Sequence, residues 1–117
     1  MPGAAQVFID KLVGGVFVTR ERDLTLTTTA IEILRNDPER VSWLIVVTGV
    51  TVAQIAFNAN PTAAESVLIA GTGGTFSANV REDFMLPTVA VHGNVAAGTT
   101  TLHIVEIIRV SSAVEQV

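Results

Sequence analysis

Apolar and polar residues alternate along much of this chain, at the two-residue period of a strand with one buried face. The longest clean case is TLHIVEIIRV, Thr101 to Val110. Leu102, Ile104, Glu106, Ile108 and Val110 share one face, and Thr101, His103, Val105, Ile107 and Arg109 the other. Glu106 and His103 lie on opposite faces, so alternation leaves open which one turns inward. LTLTTTAIEIL, Leu24 to Leu34, alternates in the same way and predicts one strand. Val41 to Val47 is different, with Ser42 as its single polar residue. Such a run predicts a central strand covered on both faces. Thr48-Gly49 then bends the chain, and Val50 to Phe57 predicts a second strand, a hairpin neighbour of the first. SVLIA, TFSANV and Thr88 to His92 predict shorter strands.

Turn signals separate these runs. TRERD, Thr19 to Asp23, reads as a solvated turn, and RNDPER as a turn in which Pro38 fixes φ. NANPTAAE reads as a loop in which TAAE could form one helical turn. GTGG, Gly71 to Gly74, predicts a turn with positive φ. Gly14-Gly15 divides Val7–Val18 into an arm or edge strand, with a helix over 5–13 also compatible, and a short strand VFV. About eight strands at this spacing predict an all-β antiparallel sandwich or jelly roll. The expected division is an N-terminal arm or edge strand over 1–15, a β-sandwich domain over 16–110 and a tail over 111–117.

Composition agrees with that class. The 117 residues include 18 Val, 9 Ile and 14 Thr, whose β-branched side chains suit a pleated sheet. Charged residues make up 15% of the chain, against about 25% in an average soluble domain. A small domain with so few charges is expected to need partner subunits over part of its apolar surface. The net charge of −4, with one Lys and six Arg, speaks against a nucleic-acid partner. With no Cys, thiolate chemistry and disulfides are excluded. The first residues lack the pattern of a signal peptide. No run reaches the ~18 apolar residues of a spanning helix, so a soluble chain without a membrane partner is expected.

Templates for catalysis find little to hold. GTGGT is followed by a strand and by no Lys, so a hairpin turn fits better than a phosphate loop. His92 and His103 could approach each other across adjacent strands, but spacing offers no third metal ligand. Ser66, Ser77, Ser111 and Ser112 sit in no nucleophile elbow. Glu82 and Asp83 are adjacent in a connection, poorly placed for opposed acid and base roles. Trp43, inside an apolar run, reads as core rather than as a sugar-stacking platform. Asp10, Asp23, Asp37 and Asp83 fall in no calcium-loop spacing. The chain is read as a non-enzyme with no cofactor and no metal site.

One resemblance covers residues 24–108. LTLTTTAIEILRNDPERVSWLIVVTGVTVAQIAFNANPT, then SVLIAGTGGTFSANV, then LPTVAVHGNVAAGTTTLHIVE resembles the small virion proteins of tailed bacteriophages, namely capsid decoration (cement) and head-fibre modules. The shared features are a Thr-rich strand, an Arg leading an apolar strand (here Arg40), a Gly-bearing bend and a closing alternating strand. The resemblance implies a homotrimeric structural protein that binds the major capsid protein on the outer capsid surface and stabilises the head. Its implied location is the virion, assembled in the host cytoplasm. The alternative is a receptor- or carbohydrate-binding module of a phage fibre or tail. Candidate interface residues are Val7, Phe8, Ile9 and Leu12 in the arm and Val105, Ile107 and Arg109 on the last strand. The face of Leu102, Ile104 and Ile108 is the other possibility.

Overall fold

The computed structural model describes residues 16–62, 64–83 and 85–110. Within them the chain forms eight strands. They are β1 (Val16–Leu26), β2 (Ile31–Leu34), β3 (Arg40–Val47), β4 (Ala53–Ala56), β5 (Val67–Ile69), β6 (Thr75–Asn79), β7 (Val91–Asn94) and β8 (Thr100–Val110). A single helical turn, α1 (Val80–Asp83), and a 3-10 turn at Leu86–Thr88 join β6 to β7. One four-stranded sheet has the order β1-β8-β3-β6 and the other β2-β7-β4-β5, all antiparallel. Two facing sheets of this order form an eight-stranded jelly roll, as the alternating pattern predicts.

Between the sheets lies one apolar core. β8 contributes Leu102 and Ile104, β3 contributes Trp43, Ile45 and Val47, and the second sheet adds Ile33, Ala53, Ile55, Ile69 and Val91. Each large side chain taken from water contributes roughly 1.5–3 kcal/mol. Trp43 meets the edge of Phe76 with ring centroids 5.2 Å apart, a geometry favoured by the aromatic quadrupole. Trp43 is therefore core, as its apolar neighbours in sequence imply.

Four expectations are corrected. TRERD is not a turn: Thr19–Asp23 lies inside β1, paired residue for residue with Ile107 to His103. Cross-strand pairing holds these polar residues extended, and both their faces are exposed. Leu24 to Leu34 is not one strand. The chain leaves the first sheet after Leu26 and enters the second at Ile31, and the threonines between them make the crossing. Val41–Val47 is central but not covered on both faces. Trp43, Ile45 and Val47 are buried, while Ser42, Leu44 and Val46 stay half-exposed. Nor does it form a hairpin with the following strand. β4 belongs to the opposite sheet, so the Thr48-Gly49 bend is a corner between layers.

That corner requires glycine. A Cβ at Gly71 would sit 2.3 Å from the Val50 carbonyl oxygen, and one at Gly49 only 2.7 Å from the Thr101 backbone nitrogen. The 71–74 turn docks here, with Gly73 N–H donating to Val47 O at 2.7 Å and Thr72 N–H to Gly49 O at 2.7 Å. Positive φ falls on Thr72 (58°) and Gly73 (103°).

At the other end of the sandwich one cation organises the loops. Arg40 is 2% exposed. Its Nε donates to Pro87 O at 2.7 Å, its Nη2 to Arg35 O at 2.9 Å and Val89 O at 3.2 Å, and its Nη1 to Glu106 Oε1 at 3.2 Å. One guanidinium thus ties the β2–β3 corner and the 3-10 turn to the end of the core. Burial pulls its pKa down from the ordinary arginine value, and the adjacent Glu106 carboxylate opposes that.

β1 and β8 pair over 11 residues, whereas the strands of the second sheet are three or four long. At about 3.4 Å per residue the ribbon outruns the sheet beneath it. Val16 and Val18, at its free end, stay 50% and 42% exposed. The described residues span 49 × 25 × 23 Å.

Candidate functional site

Antiparallel register fixes what the outer face of the first sheet displays. Ile107 stands between Thr19 and Ser42, Val105 between Glu21 and Leu44, and His103 between Asp23 and Val46, while Phe17 faces Arg109. Phe17, Ile107, Val105, Leu44 and Val46 therefore form a continuous apolar stripe across β1, β8 and β3, each half-buried by its neighbours. Thr19, Ser42, Thr75 and Ser77 border it. Among the described residues no strand of the second sheet pairs with or extends this sheet.

Of the candidate interface residues, Val105 and Ile107 lie in this stripe and Arg109 at its end. Leu102, Ile104 and Ile108 point the other way and are 0%, 0% and 5% exposed, so that face builds the core. Arg109 leans toward the β2–β3 corner, donating through Nε to Glu39 Oε1 at 2.8 Å. Val7, Phe8, Ile9 and Leu12 lie outside the described residues, as do Ser111 and Ser112. Pairing of Val16 with Val110 places the exits to both undescribed segments, 1–15 and 111–117, at one end of the ribbon.

A charged clamp marks the edge of the stripe. His103 Nδ1 is 2.7 Å from Asp23 Oδ1, and Nε2 is 2.9 Å from Glu21 Oε1. The hydrogen bond with Asp23, then that with Glu21, raises the imidazole pKa above its ordinary value. Read as a turn, TRERD hides this clamp in the sequence. Once Glu21 and Asp23 are placed in a strand beside β8, alternation alone puts both on the face of His103.

His92 is not near His103. It sits on β7, in the opposite sheet, where its register neighbours are Glu32 and Ala56. Two strands adjacent in sequence belong to different layers here, so the pairing suggested by their proximity along the chain fails. Among the described residues no three His, Asp or Glu side chains converge as metal ligands. Glu82 and Asp83 serve the local turn, Asp83 Oδ2 accepting from Asn79 N–H at 2.9 Å. Ser66 donates to Thr62 O within its own loop, and Ser77 lies on β6 at the border of the stripe. No helix among the described residues is long and apolar enough to cross a membrane.

No protein-family model matches the chain, and no characterised protein matches it in sequence. Among solved structures it is similar to a chain from the work described as "Bacillus endospore appendages form a novel family of disulfide-linked pili", with 17% identity and a TM-score of 0.49, covering 82% of this chain and 88% of that one. Neither figure is high enough for the pilus to lend this chain a function.

Proposed function

We propose that this chain is a non-catalytic structural subunit that joins copies of itself through the outer face of its β1-β8-β3-β6 sheet. Following the resemblance in sequence, the assembly we propose is a phage head, with the chain as a homo-oligomeric decoration protein on the major capsid protein. One observation carries the reading: the stripe of Phe17, Leu44, Val46, Val105 and Ile107, apolar and bordered by Ser and Thr and by the His103–Asp23–Glu21 clamp. Such a patch costs solubility unless it is covered. A second copy suits it because the five side chains of the stripe carry no charge of their own.

Light scattering of the purified full chain tests this. A stable oligomer, a trimer for a decoration protein, is expected across a hundredfold dilution. A monomer that binds glycans would overturn the reading in favour of a carbohydrate-binding module. That alternative lacks a stacking platform in Trp43, which is 1% exposed.

A further inference from the structure

Four of the six arginines in this acidic chain come together under the overhanging half of the β1–β8 ribbon. Arg20, Arg22, Arg35 and Arg40 line a cavity of about 640 Å³, together with Glu21, Asp37 and Glu106. A volume of that order is typical of small-molecule sites, roughly 300–1,000 Å³. The register explains the convergence. Arg20 and Arg22 stand opposite Glu106 and Ile104, on the inward side of β1, and Arg22 reaches the second sheet at Ile33 O. Arg35 comes in from the β2–β3 corner, whose backbone is held by the Arg40 guanidinium.

The three acids are already engaged. Glu106 pairs with Arg40, Glu21 pairs with His103, and Asp37 Oδ1 accepts the Glu39 N–H at 2.9 Å. Of the four cations, two are engaged as well. Arg40 is fully used in the core, and Arg22 donates through Nη2 to Ile33 O. The guanidiniums of Arg20 and Arg35 have no hydrogen-bond or ion-pair partner among the described residues. Like charges gathered this way repel one another, and an anion between them reverses the sign of the interaction. A planar fork of N–H donors matches carboxylate and phosphate oxygens two at a time.

We propose that this cavity binds a small oxyanion carrying two or more negative charges, a phosphate ester or a polycarboxylate, with Arg20, Arg22 and Arg35 as its ligands. Several guanidiniums with spare donors favour a multiply charged ligand over a single carboxylate. A nucleic acid is a poor candidate, since the chain carries a net charge of −4. The proposal is independent of the assembly reading.

Calorimetric titration of the full chain with inorganic pyrophosphate and, separately, with citrate, at constant ionic strength, decides it. Saturable binding with a Kd below about 1 mM is expected for at least one of them. Tighter pyrophosphate binding assigns the site to phosphate chemistry, and tighter citrate binding to polycarboxylates. The double variant Arg20→Gln/Arg35→Gln, both at exposed positions, should weaken binding at least about tenfold. Arg109→Gln, on the opposite face of the sheet, should leave it unchanged. No saturation with either probe, or an equal loss in Arg109→Gln, would overturn the proposal, since the second outcome means diffuse charge screening only.

Discussion

Arg40 and Glu106, 66 residues apart in sequence, form an ion pair of 3.2 Å at the end of the core, with side chains 1% and 11% exposed. Arg40 opens β3, and Glu106 is the one charged residue on the inward face of β8. Removing the carboxylate leaves a buried guanidinium with three carbonyl partners and no counter-charge. Glu106→Ala is therefore expected to destabilise the fold by about 3 kcal/mol. Arg40→Met removes four hydrogen bonds and orphans three carbonyls, and should cost at least as much. Arg40→Lys should rescue little of that loss, because an ammonium cannot reach Pro87, Arg35, Val89 and Glu106 together. Urea midpoints at constant slope measure each loss. A wild-type midpoint for Arg40→Lys would contradict this role.

Two glycines should respond differently to a methyl group. At Gly71 an added Cβ meets backbone, the Val50 carbonyl at 2.3 Å, whereas at Gly93 it meets the Ile33 Cδ1 methyl at 2.5 Å and that of Ile55 at 3.0 Å. Methyl ends can shift, and the overpacking cost of Gly93→Ala is about 1–3 kcal/mol. Gly71→Ala must open the corner between the layers and is expected to lower the thermal midpoint further. Equal midpoints in the two variants would show that the corner is softer than its contacts imply.

Much of the architecture was legible in the residues and some of it was not, for identifiable reasons. β8, β6 and β5 follow their alternation or turn signals closely, because each is a strand with Gly-, Asn- or Thr-rich ends. The local pattern ends β1 at Val18, since the next five residues, Thr19 to Asp23, are polar on both faces. What makes them a strand is pairing with β8, about eighty residues later, which no local pattern encodes. The crossings between sheets at Thr27–Ala30 and Thr48–Val52 are hidden too, because most strands adjacent in sequence here, β4 and β5 excepted, lie in opposite layers. For the same reason His92 and His103 came out apart. The outer stripe was half visible: alternation separated Val105 and Ile107 from Leu102 and Ile104, and only packing settled which pair faces solvent. Phe17, Leu44 and Val46 joined the stripe through register alone.

The His103 clamp gives the fold a pH dependence of definite sign. Asp23 first, and Glu21 second, hold the imidazole pKa above its ordinary value of 6.5. Stabilisation from protonated His103 is thus full below the unfolded-state pKa of about 6.5 and fades as pH rises through the higher folded-state value. The wild-type thermal midpoint should fall between about pH 6 and about pH 8 by more than that of His103→Gln. Added salt should shrink the difference, since the pair is solvent-exposed. Parallel pH profiles for the two proteins would show that the clamp is energetically silent.

Sedimentation velocity of the wild-type chain beside the variant Leu44→Glu/Ile107→Glu examines the proposed interface most directly. Both substitutions lie on the outer face of the first sheet and leave the inward core untouched. The prediction is an oligomeric wild type and a variant that sediments as a monomer with the same far-ultraviolet β signal. A wild type that is already monomeric, or a charged variant that associates as the wild type does, would contradict assembly through this face.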